Sequence, residues 1–123
     1  LFSSVFIKNE GAKFSVTPLP KEAQFFPIFG VKVFDLNKDG NKDILLVGNL
    51  NAVQPEYGAY DSGLGLVLLG DGKGNFNSMN PRESGFVVPG EGRDIQILNS
   101  KRGDKPSFMV SRNNDRVLVF KIK

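Results

Sequence analysis

Valine, isoleucine, leucine and phenylalanine recur in short bursts along the chain, and glycine, proline, asparagine and aspartate stand between the bursts. β-Branched and aromatic residues suit a pleated, half-buried surface, whereas Gly, Asn and Asp supply the conformations that reverse a chain. This alternation predicts strands at Ser4–Ile7, Phe14–Thr17, Val31–Asp35, Ile44–Val47, Leu64–Leu69, Asp94–Leu98, Ser107–Val110 and Arg116–Ile122. No segment shows the 3.6-residue apolar rhythm of an amphipathic helix. In the final segment Val117, Val119 and Lys121 fall on one face and Leu118, Phe120 and Ile122 on the other, the two-residue period of a strand. Both faces are largely apolar, so this strand is expected between packed layers.

Turn chemistry joins the strands into antiparallel meanders. Asn9-Glu10-Gly11, Asp71-Gly72-Lys73-Gly74 and Asn113-Asn114-Asp115 each offer residues that tolerate positive φ. Arg112, Asn113 and Asn114 are therefore read as a hairpin turn. The stretch Gly70–Gly74 lacks the spacing and the Ser/Thr of a phosphate-binding P-loop and is read as a turn too.

A weak internal repeat runs through the pattern. Val5 to Phe14 resembles Leu66 to Phe76 as a strand, a glycine turn and a phenylalanine, and Val31 to Asn49 has a diluted counterpart in Arg93 to Asn113, a second pairing that places the repeat length near 62–64 residues. Self-similarity at such a spacing points to stacked supersecondary units. A unit of this length holds about four short strands, the content of one β-propeller blade. The expected fold is all-β, with antiparallel four-stranded blades of β-propeller type and roughly two blades in the chain. Residues 1–27 would end one blade, 28–80 form a complete one, and 81–123 part of a third.

Composition narrows the chemistry. The chain has 123 residues, 40% hydrophobic and 24% charged, which is ordinary globular usage and argues against both disorder and a membrane span. Its 16 basic residues are scattered among 13 acids and form no stripe, so nucleic acid is not an expected partner. Cysteine and histidine are both absent, which removes disulfides, Cys/His zinc sites and histidine-based catalytic triads. What remains is carboxylates, lysines, hydroxyls or a hard metal. The chain opens at Leu1 without a recognisable signal peptide and is read as a mature or excised fragment.

The segment Asp35-Leu36-Asn37-Lys38-Asp39-Gly40-Asn41-Lys42-Asp43 carries that chemistry. Oxygen-bearing side chains stand at alternate positions around Gly40, a spacing that lets a short loop wrap a cation wanting 6–8 oxygen ligands. Side-chain oxygens are assigned to Asp35, Asn37, Asp39 and Asp43, and a carbonyl oxygen to Asn41. An EF-hand would need a bidentate Glu at the twelfth loop position and flanking helices. The twelfth position here is Leu46, and the flanks Val31–Phe34 and Ile44–Val47 are strand-like. An ordinary polar turn has a similar composition, and only the regular oxygen spacing separates the two readings.

Over Gly30 to Asn49 the chain resembles the FG-GAP/VCBS repeat family, whose blades carry a calcium loop of the form D-x-[DN]-x-D-G-x-x-D between their first two strands. The resemblance implies a β-propeller, extracellular, with calcium (Ca2+) in a structural role and with adhesion or ligand binding as its duty. In the second copy, Ile97 to Pro106 keeps a glycine but offers few carboxylates and adds cations, so no ion is expected there.

A ligand region is sought in the longest loop, Asn49–Gly63, which holds the only two tyrosines, Tyr57 and Tyr60, with Glu56 and Asp61 beside them. Aromatic faces with carboxylates suit a sugar or a peptide; packing of the two tyrosines onto their own blade is the alternative. The expected function is a calcium-binding extracellular module, secreted or at the cell surface or periplasm, that binds a protein or glycan and is not an enzyme. A fragment of a propeller-fold polysaccharide-degrading enzyme and a purely structural scaffold are the competing readings. Exposed blade edges would also allow self-association.

Overall fold

The computed structural model describes residues 3–24, 26–48, 65–79, 81–99, 101 and 106–121. Among these the chain is all-β, with nine strands in three antiparallel sheets. A 3-10 turn at Lys21–Gln24 and a single α-helical turn at Pro81–Ser84 lie in the connections between sheets.

The first sheet is a hairpin of β1 (Val5–Asn9) and β2 (Phe14–Pro18). Its turn forms where Gly11 takes a φ of 90° and donates its N–H to Asn9 Oδ1 at 2.9 Å, a local bond that replaces a backbone partner. The central sheet is a meander of β3 (Ile28–Phe34), β4 (Asp43–Gly48), β5 (Leu66–Gly70) and β6 (Phe76–Met79) in that order. The third sheet joins β7 (Gly92–Leu98), β8 (Ser107–Arg112) and β9 (Leu118–Lys121).

The sheets stack face to face, and β4 lies at the centre with every residue buried. Leu45 and Val47 point to one side, where with Val67 they meet Ile95, Phe108 and Val110 of the third sheet and Phe86 and Val88 of the segment before it. Ile44 and Leu46 point to the other side and pack with Leu66, Leu68, Ala23 and Phe26. Rings meet edge to face between sheets, Phe34 on Phe108 at 5.7 Å and Phe6 on Phe76 at 5.1 Å, while Phe86 from the segment before the third sheet meets Phe120 of that sheet at 5.1 Å. A fully buried side chain such as Phe86 or Phe108 contributes about 1.5–3 kcal/mol relative to exposure.

The close approach of β3 and β7 depends on glycine. A Cβ on Gly30 would stand 2.7 Å from Val47 Cγ2 and 3.1 Å from Asp94 Cα, and one on Gly92 would stand 2.6 Å from Val47 Cβ. Val47 fills the space that these two positions leave open.

The hairpins β3–β4 and β7–β8 share one register. Each of the six residue pairs in the first, from Ile28 opposite Gly48 to Phe34 opposite Asp43, has its counterpart 64 positions later, from Gly92 opposite Arg112 to Leu98 opposite Ser107. Both also carry a bulge after their first pair, at Phe29 and at Arg93. The Arg93 guanidinium lies 4.7 Å from the centre of the Phe29 ring, so the bulge of one hairpin rests on that of the other.

Two expectations need correction. The strand near the end of the chain is not held between layers: β9 is an edge strand, with Leu118 and Phe120 packed on the core while Val117 and Val119 stand exposed. The strand β6 was not anticipated either, because Asn77 and Ser78 dilute its apolar signal, although its Phe76 and Met79 both pack inward.

Candidate metal loop

The loop that joins β3 to β4 holds the candidate ligands, and two left-handed residues bend it. Lys38 adopts a φ of 59° and Gly40 a φ of 88°; the latter is accessible without strain only to glycine. The side chains then turn in toward the loop's own backbone. Asp35 Oδ2 accepts from the Gly40 N–H at 2.9 Å and Asp35 Oδ1 from the Asp39 N–H at 3.1 Å. Asn37 Oδ1 shares that Asp39 N–H at 3.3 Å, and the Asn37 amide donates to Asp39 Oδ2 at 3.2 Å. Asp39 Oδ1 in turn accepts from the Asn41 N–H at 2.8 Å. Asp35, Asn37 and Asp39 thus belong to one hydrogen-bonded ring at the exposed end of the hairpin.

Asp43 sits apart from that ring, beneath the loop. It is fully buried, and its Oδ2 accepts from the Leu36 N–H at 2.8 Å while its Oδ1 accepts from the Gly70 N–H at 2.9 Å. The first bond closes the loop on itself and the second ties it to β5. Among the described residues, no three or more Asp or Glu side chains converge as a metal-holding group. The donors are nevertheless of the hard oxygen type that calcium takes, and a carboxylate oxygen that accepts one N–H keeps a second lone pair.

A neighbouring turn buttresses the loop. Asn41 is half-buried because its side chain lies against Gly72, where an added Cβ would collide with Asn41 Oδ1. That turn, between β5 and β6, is built by Asp71, whose Oδ1 accepts from the Lys73 N–H at 2.7 Å and the Asn75 N–H at 3.1 Å, and whose Oδ2 accepts from the Asn75 amide at 2.8 Å. The Asn75 side chain first, and the Lys73 backbone next, hold the Asp71 carboxyl below its ordinary value of 3.8. A depressed folded-state value stabilises the fold above the ordinary value, and the contribution is lost as pH falls from there through the folded value. We expect Asn75→Ala to move the Asp71 midpoint upward toward 3.8, as read from the pH dependence of its side-chain carboxyl resonance. An unchanged midpoint would show that the backbone bonds alone set it.

The remaining sequence-derived candidates fall elsewhere. Glu56, Tyr57, Tyr60 and Asp61 lie outside the described residues, as does most of the loop between β7 and β8. The expected turn at Arg112–Asp115 is present: Asn114 has a φ of 54°, and Arg112 donates to the Arg116 carbonyl at 2.8 Å and to the Pro89 carbonyl at 2.9 Å. No helix among the described residues is long and apolar enough to cross a membrane. Sequence reasoning missed the Gly70 N–H as the partner of Asp43 and Gly72 as the support for Asn41. The glycine spacing of 70, 72 and 74 was visible, but its partners lie far along the chain. No protein-family model, curated protein or solved structure matches this chain.

Proposed function

We propose that this chain is a calcium-stabilised binding or scaffolding module whose sheets are blades of a β-propeller of the FG-GAP/VCBS kind. The observation that carries the reading is the loop from Asp35 to Asp43, with Asp or Asn at alternate positions between two antiparallel strands and glycine in the left-handed region at its centre. The four-stranded meander, its face-to-face stacking on the sheets either side and the shared register of β3–β4 and β7–β8 support the blade assignment.

In this reading Asp35, Asn37 and Asp39 provide side-chain oxygens, Asn41 its carbonyl oxygen, and Asp43 the lone pairs left over from its two backbone bonds. Bound calcium supplies the positive charge that offsets repulsion among the three carboxylates. The role is to hold the hairpin, and the partner is a protein or a glycan met outside the cell or at its surface. Catalysis forms no part of the reading.

Melting the protein in millimolar calcium and again in excess chelator tests it. A ligand that binds only the folded state at 100 times its Kd adds about 2.7 kcal/mol. The expected result is a higher Tm in calcium, abolished by Asp39→Ala, while the variant in chelator melts close to the unsubstituted protein because Asp39 is exposed. Equal melting with and without calcium would return the loop to an ordinary turn.

A further inference from the structure

The metal loop meets the hairpin of β5 and β6 along its second half, and at each meeting point the hairpin presents a glycine. Asp43 Oδ1 accepts from the Gly70 N–H at 2.9 Å, and a Cβ on Gly70 would collide with the Lys42 carbonyl oxygen. Two residues on, a Cβ on Gly72 would collide with Asn41 Oδ1 and stand 3.1 Å from Asn41 Cγ. Asn41 is therefore a junction: its N–H donates to Asp39 Oδ1 at 2.8 Å, inside the ring of candidate ligands, while its side chain rests against the turn between β5 and β6. The loop and the turn also share the wall of a cavity of about 380 Å³, to which Gly40, Asn41 and Lys42 contribute from one and Gly72 and Gly74 from the other. Crowding at Gly72 thus has open space into which to push Asn41, without disturbing the strands.

We propose that Gly72 is a positioning residue for calcium. By leaving room for the Asn41 side chain it fixes Asn41 and, through the bond to Asp39, the arrangement of oxygens offered to the ion, so the turn between β5 and β6 sets the affinity of a loop to which it supplies no ligand. Groups that hold metal ligands from behind commonly govern affinity by about 10- to 100-fold. Turn geometry by itself also calls for glycine here, since Gly72 has a φ of 78° and Gly74 a φ of 95°. Their surroundings separate the two. A Cβ on Gly74 would make an ordinary contact, 3.4 Å from Phe6 Cε1, and its nearest neighbours are Phe6 and Lys8 rather than the loop. The inference rests on the calcium reading of the loop and names the element outside it that regulates the site.

Isothermal titration of calcium into the unsubstituted chain, Gly72→Ala, Gly74→Ala and the double variant Asn41→Ala with Gly72→Ala is the test. Both glycine replacements put a side chain at positive φ, so both should lower the melting temperature in chelator. Only Gly72→Ala should weaken calcium binding, by about tenfold or more. The double variant should recover most of that loss. It removes the colliding Oδ1, keeps the carbonyl oxygen assigned to the ion at position 41, and leaves the two β-carbons 3.9 Å apart. In chelator, the amide resonances of Asp39, Gly40 and Asn41 should shift in Gly72→Ala and stay in place in Gly74→Ala. Calcium binding that Gly72→Ala leaves intact, an equal loss in Gly74→Ala, or a double variant no better than Gly72→Ala would each overturn the positioning role while the calcium reading stands. Absence of binding by the unsubstituted chain would overturn the calcium reading itself, and the positioning role with it.

Discussion

Replacing Asp43 with alanine is expected to lower stability by about 2–5 kcal/mol, with or without calcium, since each buried N–H left unsatisfied costs about 1–3 kcal/mol. Asp43 lies with no exposed surface between the N–H groups of Leu36 and Gly70, and the bond to Gly70 is itself buried. Alanine would strip both groups of their acceptor. The denaturant midpoint should fall with little change in slope, because the surface exposed on unfolding is unaltered. Asp43→Asn should fall between alanine and the unsubstituted chain, since Leu36 and Gly70 bond different carboxylate oxygens and the amide turns one of these into a donor. The contrast with Asp39→Ala is diagnostic: the two aspartates stand in one motif, yet one ties sheet to loop and the other orders an exposed turn. Equal losses from the two substitutions would show that the inner ties of Asp43 are not what the fold depends on.

Phe108→Ala is expected to cost about 3–5 kcal/mol, the range for truncating a buried aromatic ring. Phe108 is 1% exposed, faces Ile97 and Phe120 across its own sheet and meets the edge of Phe34 from the next. It therefore joins two layers, and the cavity left by alanine would have rigid strands on both sides and little freedom to collapse. Urea unfolding compared with Val119→Ala on the neighbouring exposed face gives the measurement. The surface change should stay within about 0.5 kcal/mol, and a similarly small effect at Phe108 would mean that the third sheet is not firmly packed on the second.

The strands were legible where the chain had to bury both sides of a sheet or alternate strictly. Ile44–Val47 and Ser107–Val110 were found for this reason, and the structure extends each by only a residue or two. What stayed hidden depended on partners distant in sequence. Val119 looks like a core residue until β9 proves to be an edge, and Phe76–Met79 is too diluted in apolar residues to read as a strand until β5 pairs with it. The loop from Asp35 to Asp43 was readable as a set of oxygens because its spacing is local. The division of labour within it was not, because the second partner of Asp43 stands 27 positions away at Gly70. The weak likeness between the two halves of the chain understated the geometry: side chains diverge between β3–β4 and β7–β8, but every backbone pair keeps its place.

The burial of β4 on both sides raises a problem of alignment that alternation cannot solve. A strand with one wet face is held in place because a slip of one residue would turn its apolar side chains to water. In β4 such a slip would only exchange Leu45 and Val47 for Ile44 and Leu46, one oily set for another. Its two ends are what pin it. At one end Gly48 lies against the Pro27 carbonyl oxygen, where any side chain would collide, and at the other the Asp43 carboxylate must find two N–H groups at once. Sliding the strand either way drives a side chain into Pro27 or carries the charge away from its donors, so the strand is indexed by a residue with no side chain and by one that repels oil.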